Sequence, residues 1–261
     1  MTTRTTTSFD GLTIAYSVSG AAETALIFIH GGMSDRSFWD GQHAAFQERF
    51  RVIALDLAGH GESGQDRRDW GIPQCGRDVA AVMDAERVSG AVLIGNSLGG
   101  PAAVEAALLT GTRVLAVIGV DTFHDINQTM DAQQADEMAE TWRRDFAGSL
   151  ERMLGTLLHA DTDPALYEDI RQRMSKTSLK TVCAMFHGFG GYDIGASVRR
   201  LGVPLRCILG DLFPIDVEAT RRALADFDAV VLPHTGHYPM LECPDEFNRR
   251  LGGILNDLRI G

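Results

Sequence analysis

The residues with the clearest chemical potential in this chain lie at positions 91–103, in the sequence AVLIGNSLGGPAA. Four apolar residues predict a strand, the pentapeptide GNSLG follows, and helix-forming residues then predict a helix over residues 98–109. A serine in such a strand–turn–helix setting stands on a sharp elbow with its hydroxyl exposed. Gly95 and Gly99 suit this elbow because side chains there would collide with neighbouring backbone. The pattern predicts that Ser97 is a nucleophile.

A serine hydroxyl needs a neighbouring base to become a good nucleophile, and His237 is the first candidate among eight histidines. The sequence TGHYP, which contains it, follows a predicted strand over residues 229–232 and therefore lies at the same sheet edge as Ser97. His234, three residues earlier, is the fallback, but it is nearer to the strand and has less freedom to reach over the elbow.

The base in turn needs a carboxylate at its second ring nitrogen, which fixes the tautomer and stabilises the imidazolium. Asp211 follows the predicted strand over residues 204–209 and is the first choice for this acid. Asp121, which ends the predicted strand over residues 114–120, is the alternative acid. Asp216 is a third candidate, but it also fits the cap of a helix that begins near residue 215.

Acyl transfer also requires N–H donors for the oxygen that becomes negative in the transition state. The sequence HGG at 30–32 follows a predicted strand over residues 25–29, and small residues there allow backbone N–H groups to point into a site. We predict the N–H of Gly32 as the first donor, with Met33 as the alternative. The second is the N–H of Leu98, at the helix N-terminus.

Predicted strands and helices alternate along most of the chain, which indicates an α/β fold with a mostly parallel sheet covered on both faces. In such sheets the chemistry collects at the carboxyl ends of the strands. Residues 122–200 break the alternation, because they contain four helical patterns and no convincing strand. We therefore expect a core made of residues 1–121 and 201–261, with residues 122–200 inserted as a helical cap over the strand ends.

The predicted cap is rich in methionine and aromatic residues. Most of these side chains are expected to pack the cap helices together, while a minority line an apolar substrate pocket. The candidates for that pocket are Met33, Phe123, Met153, Phe186 and Tyr238.

The composition of this 261-residue chain limits the kinds of partner that it is expected to bind. It has 24 basic and 35 acidic residues, and the resulting net charge of −11 argues against nucleic acid or an anionic membrane as a partner. The N-terminus lacks the apolar region of a secretory signal, and no apolar run approaches the roughly 20 residues that span a bilayer. The four cysteines have no metal-binding spacing. We expect a cytoplasmic monomer or homodimer with reduced thiols that acts on a small molecule.

Four motifs resemble those of the α/β-hydrolase superfamily, and the resemblance covers nearly the whole chain. The motifs are GNSLG, HGG at 30–32, LDLAGHGES at 55–63 and GHYPMLECPDEFN at 236–248. The resemblance implies an α/β-hydrolase fold with a helical cap, an oxyanion hole and a catalytic triad in the order Ser97, Asp211, His237, with no metal or cofactor. It also implies structural roles in a turn beside the site for Asp56, His60 and Ser63.

Two positions depart from the family pattern. Asn96 stands where a histidine commonly precedes the nucleophile. The family's acid segment resembles Gly-x-x-Asp-x-x-x-Pro, whereas this chain has the shorter sequence GDLFP at 210–214. The shortened loop leaves the choice between Asp211 and Asp121 open.

The leading functional hypothesis is a serine esterase that cleaves a small, neutral carboxylic ester, a lactone or a thioester through an acyl-enzyme. Perhydrolases, carbon–carbon bond hydrolases and cofactor-free oxygenases of the same fold look similar in sequence, so fold alone does not separate them. A non-catalytic receptor is a further alternative, which would bind a small molecule tightly with very slow turnover.

Overall fold

The computed structural model of the protein describes residues 1–127 and 129–261. Its strands are β1 (Thr2–Thr7), β2 (Thr13–Ser19), β3 (Thr24–Ile29), β4 (Arg51–Leu55), β5 (Gly90–Asn96), β6 (Val114–Val120), β7 (Leu205–Leu209) and β8 (Phe227–Val231).

These strands form one eight-stranded sheet in the order β1-β2-β4-β3-β5-β6-β7-β8. β1 pairs antiparallel with β2, and β2 pairs antiparallel with β4, while the strands from β4 to β8 pair in parallel. The prediction of a mostly parallel sheet is confirmed. Parallel pairing places the carboxyl ends of β3, β5, β6, β7 and β8 at one edge.

The helices are α1 (Asp40–Phe46), α2 (Ile72–Ala85), α3 (Gly99–Thr110), α4 (Ala132–Arg144), α5 (Phe146–Leu157), α6 (Pro164–Met174), α7 (Leu179–Phe189), α8 (Ile194–Arg199), α9 (Val217–Ala223), α10 (Pro239–Glu242) and α11 (Pro244–Asp257).

Two apolar cores cover the two faces of the sheet. Side chains alternate between the faces along a strand, so Ile27 and Ile29 of β3 pack in one core, and Leu26 and Phe28 pack in the other. The first core includes apolar residues of α2 and α3, and the second includes those of α1 and α11. Because both faces are covered, the central strands consist of continuous apolar runs.

Helices α4 to α8 lie between β6 and β7, within the segment predicted as a cap. The four helical patterns of this segment correspond to α4, α5, α6 and α7. α8 is absent from the sequence prediction. It has only six residues, and it begins after Asp193, whose side chain accepts the N–H of Ala196 at 2.8 Å. No helix among the described residues is long and apolar enough to cross a membrane.

A tight turn after β4 supports the functional edge of the sheet. The buried carboxylate of Asp56 accepts the N–H groups of Arg36 at 2.7 Å and Glu62 at 2.9 Å, and it also pairs with the Arg36 guanidinium. The hydroxyl of Ser63 donates to the Asp56 carbonyl oxygen at 2.6 Å and accepts the N–H of Ala15 at 2.9 Å. These bonds hold the turn against β2.

We expect Asp56→Ala to lower the free energy of unfolding by about 3 kcal/mol, because it leaves the N–H groups of Arg36 and Glu62 without this acceptor and removes the buried one of the two carboxylates that pair with Arg36. Denaturant titration of both proteins measures the difference. As a matched control, Asp84→Ala removes an exposed ion pair with Arg113, and its cost should stay below about 1 kcal/mol. Equal costs for the two substitutions would contradict the structural role of Asp56.

Candidate active site

Ser97 stands at the turn between β5 and α3 with a backbone φ of +49°, a conformation that residues with side chains rarely adopt. The turn is this tight because two glycines leave room: a Cβ on Gly95 would collide with the carbonyl oxygen of Gly99, and one on Gly99 with that of Ile29. The N–H of Ser97 donates to the Val120 carbonyl at 3.2 Å, which ties the elbow to β6. The predicted strand–turn–helix geometry around Ser97 is present.

His237 lies in the loop between β8 and α10 and lines the same cavity as Ser97. Its Nδ1 is 2.6 Å from Oδ2 of Asp121. An ionised carboxylate only accepts hydrogen bonds, so Nδ1 carries the ring proton and Nε2 keeps a lone pair that can take a proton. The backbone is held on both sides, because the N–H of His237 donates to Leu157 O at 2.8 Å and its carbonyl accepts Nδ2 of Asn96 at 3.0 Å.

Asp121 follows β6 directly, with a φ of +45° and a side chain that is 1 % exposed. Besides His237, its carboxylate accepts the N–H of Gly210 at 2.9 Å and Nε2 of His124 at 3.2 Å, both at Oδ1. Burial alone would raise the pKa of this carboxyl, but the hydrogen bonds from His124 and His237 outweigh burial and hold the pKa of Asp121 well below its usual range. The carboxylate is therefore ionised beside His237.

The expectation that Asp211 is the carboxylate next to His237 is wrong. The Asp211 side chain is 37 % exposed, and it accepts the N–H groups of His234 at 2.7 Å and Thr235 at 3.2 Å. Its Oδ1 also lies 2.8 Å from Nε2 of His159. The short loop after β7 explains this position, because the N–H of Asp211 is bound to Thr235 O at 2.9 Å, which directs the carboxylate to the loop backbone. Among the described residues, no hydrogen bond joins Asp211 to His237.

Asn96, at the position before Ser97, connects three parts of the site through its side-chain amide. Its side chain is fully buried, and Nδ2 donates to the carbonyl oxygens of Val120 and His237, each at 3.0 Å. The two donors of one amide group thus connect β5, the end of β6 and the His237 loop.

Two N–H groups at the cavity are available for an oxyanion. Gly32 and Leu98 both line the cavity with Ser97, and neither N–H donates to an acceptor within the described part of the chain. The N–H of Met33, the alternative donor, is bound to Nε2 of His60 at 3.2 Å. Burial lowers the pKa of His60 to about 3, so this ring stays neutral and keeps the accepting lone pair.

The cavity has a volume of about 450 Å³ and a mostly apolar wall. Its lining includes residues of the cap, such as Met185 of α7, and the acidic residues Asp121 and Asp125. The described residues that line it include no lysine and no arginine. The structure places all five predicted pocket residues around this cavity: Met33, Phe123, Met153, Phe186 and Tyr238.

Sequence reasoning missed two groups that contact the site. His124 lines the cavity and donates to Asp121, and its spacing, a histidine three residues after a strand-ending aspartate, is a signal that could have identified it. The carbonyl oxygen of Leu157 has no signal in the sequence, because any residue offers such a group.

The fallback base His234 is 69 % exposed and is not among the residues that line the cavity. His159, Asp161 and His234, which lie close enough together to share a metal ion, are likewise outside the cavity lining.

The family model described as the alpha/beta hydrolase family matches residues 26–250, so the chain belongs to this family. An uncharacterized protein of Mycobacterium tuberculosis is 38 % identical over 96 residues, which cover 36 % of this chain and 27 % of that protein. The chain is also 24 % identical over 245 residues to 3-oxoadipate enol-lactonase 2 of Acinetobacter baylyi, with 92 % of each protein covered.

Solved structures share the fold over nearly the whole chain. A thermophilic esterase from Thermogutta terrifontis, solved with malate bound, superposes with a TM-score of 0.85 at 26 % identity and covers 99 % of both chains. The enol-lactonase from Burkholderia xenovorans LB400 superposes with a TM-score of 0.86 at 22 % identity, over 97 % of this chain and 100 % of that chain. The predicted α/β-hydrolase fold is confirmed.

The two candidate acids are separated by the rate at which a fluorophosphonate probe labels Ser97. We expect Asp121→Asn to lower this rate by about 10⁴-fold, because an amide at this position stabilises the wrong tautomer of His237. Asp211→Asn should retain most of the reactivity, since the hydrogen bonds of this carboxylate within the described residues go to the loop backbone and to His159. Peptide mass spectrometry locates the adduct, and thermal unfolding checks that both variants are folded. The reverse order of rates would return the acid to Asp211.

Proposed function

We propose that this protein is a serine hydrolase that cleaves small, neutral carboxylic esters, with Ser97 as nucleophile, His237 as base and Asp121 as the acid of the triad. One observation carries the proposal. The Nδ1–Oδ2 hydrogen bond of 2.6 Å between His237 and a buried, ionised Asp121 lies at the wall of a cavity that the elbow serine also lines. This bond leaves Nε2 of His237 as the proton acceptor that a serine nucleophile needs.

In the first half of the proposed reaction, Ser97 Oγ attacks the ester carbonyl carbon while Nε2 of His237 takes the hydroxyl proton. The carbonyl oxygen becomes negative and binds the free N–H groups of Gly32 and Leu98, while Asp121 stabilises the imidazolium. His237 then gives its proton to the leaving alkoxide, so the ester bond breaks and an acyl-enzyme remains.

In the second half, water attacks the acyl-enzyme with His237 again as base. The second tetrahedral intermediate uses the same two N–H donors, because its negative oxygen occupies the same position. Return of the proton to Ser97 Oγ releases the carboxylic acid and restores the starting enzyme.

The proposed substrate class follows from the wall of the cavity. A volume of about 450 Å³ with methionine and aromatic side chains suits a small apolar acyl group. The wall includes two acidic residues, Asp121 and Asp125, and the described lining residues include no lysine or arginine, so the wall disfavours an anionic substrate. Several similar proteins carry the names of esterases and lactonases, which supports cleavage of an ester bond.

The receptor alternative fits these observations less well. A binding protein has no need of a buried carboxylate that orients a histidine, or of two unpaired N–H groups beside a strained serine. The perhydrolase, carbon–carbon hydrolase and oxygenase alternatives share the Ser–His pair. The substitutions below distinguish an oxygenase from the proposed hydrolase, because an oxygenase would keep its activity when Ser97 is replaced.

We expect Ser97→Ala to lower kcat on p-nitrophenyl butyrate by at least about 10³-fold and to abolish fluorophosphonate labelling, because no other group replaces the nucleophile. Adding His237→Ala to this variant should lower kcat little further, since the two residues act as one unit. Losses that multiply, or turnover that survives Ser97→Ala, would contradict the proposed mechanism.

We expect a preference for neutral acyl groups. At matched chain length, p-nitrophenyl butyrate should have a kcat/KM at least about tenfold above that of the mono-p-nitrophenyl ester of succinate, because the free carboxylate of the latter must enter a cavity whose wall includes Asp125 and Asp121. Asp125→Asn should narrow this ratio without changing kcat on the butyrate ester, while Asp84→Asn, at an exposed position outside the cavity lining, should not. A preference for the anionic ester would overturn the proposed substrate class.

A further inference from the structure

A cluster of histidines and carboxylates lies outside the catalytic cavity, where the cap meets the core. His159 and Asp161 are in the segment between α5 and α6, and His234 follows β8. One ligand atom from each of these three residues lies within 4.8 Å of those of the other two. We call these residues the His159–Asp161–His234 cluster.

The polar atoms of the cluster already converge. Nε2 of His234 is 3.0 Å from Oδ2 of Asp161, and Nε2 of His159 is 2.8 Å from Oδ1 of Asp211. The two imidazole rings lie side by side, with their centroids 4.7 Å apart. With both rings neutral, the cluster carries the one negative charge of Asp161, and the neighbouring Asp211 adds a second, so this part of the surface attracts a cation.

We propose that the His159–Asp161–His234 cluster binds a divalent transition-metal ion of the Zn²⁺ type through two imidazole nitrogens and one carboxylate, with water completing the coordination. Imidazole ligands favour Zn²⁺, Cu²⁺ and Ni²⁺ over Mg²⁺ and Ca²⁺, which prefer oxygen. Ligand atoms about 2.1 Å from one ion lie roughly 3 to 4 Å apart, so the cluster must contract only slightly. Asp161 and His234 are each 69 % exposed, so a metal ion can reach them from solvent.

Asp211, which is not part of the proposed triad, lies next to the proposed metal site. Its Oδ1 stands next to His159, where it can accept a hydrogen bond from a metal-bound water or join the ligands. Its carboxylate also binds the N–H groups of His234 and Thr235. One side chain therefore connects the proposed metal site to the backbone of the loop that carries His237.

The metal would join two parts of the chain that are far apart in sequence. Two ligands belong to the cap segment and the third lies three residues before His237, whose own N–H is bound to Leu157 at the end of α5. A bound ion should therefore stabilise the docking of this part of the cap on the core. The site does not depend on the proposed esterase activity, because it uses none of the groups assigned to the reaction.

The test is titration of the full chain with ZnCl₂ by isothermal calorimetry, together with thermal unfolding at increasing Zn²⁺. We expect one equivalent of Zn²⁺ per chain and a rise in Tm of about 5 °C at hundredfold excess over Kd. MgCl₂ should produce no rise. His159→Ala, His234→Ala and Asp161→Ala should each weaken Zn²⁺ binding by at least about tenfold.

His187→Ala is the matched control. His187 also has a carboxylate partner, with Nε2 at 3.1 Å from Oδ1 of Asp136, but no third potential ligand among the described residues lies close enough to share an ion with this pair. Its replacement should leave Zn²⁺ binding unchanged. If an alanine variant fails to fold, His159→Gln retains a hydrogen-bond donor toward Asp211 and tests the same ligand. Zn²⁺ binding that survives in the double variant His159→Ala/His234→Ala, or no binding by the wild type at millimolar Zn²⁺, would overturn the proposal.

Discussion

The arrangement of the candidate site depends on keeping the charge of one buried carboxylate. Asp121 is almost completely enclosed, and an enclosed carboxylate is neutral unless hydrogen bonds compensate the lost water. Here the compensation comes from three donors on three parts of the chain: the His237 ring, the His124 ring and the N–H of Gly210. The carboxyl ends of β6, β7 and β8 are therefore held together by the same charge that orients the proposed base.

A second set of hydrogen bonds holds the proposed nucleophile next to these groups. Asn96 immediately precedes Ser97, and its amide binds the end of β6 and the carbonyl of His237. On the other side of the elbow, Gly99 packs directly on the end of β3, which leads to Gly32. Because Ser97, the proposed base and the proposed oxyanion donors share these backbone contacts, their relative positions are set mainly by the sheet and its turns.

Most of the fold follows from sequence because its signals are local. The predicted strand over residues 114–120 has the bounds observed for β6, and Ser97 and His237 are recognisable because each follows a predicted strand. The acid is different, since both Asp121 and Asp211 end parallel strands. The choice depends on where a loop of a few residues directs one carboxylate, and that direction is set by backbone hydrogen bonds to Thr235 and His234. Pattern and propensity contain no information on such contacts.

The bond between the N–H of His237 and the carbonyl of Leu157 has a consequence for how this protein could be re-engineered. The insertion between β6 and β7 looks like a module that could be exchanged to obtain a new specificity. Its helix α5, however, supplies the acceptor that fixes the backbone of the proposed base. A graft of another cap onto this core would therefore change the chemistry of the core as well as the shape of the pocket, unless the incoming segment brought a carbonyl group to the same point.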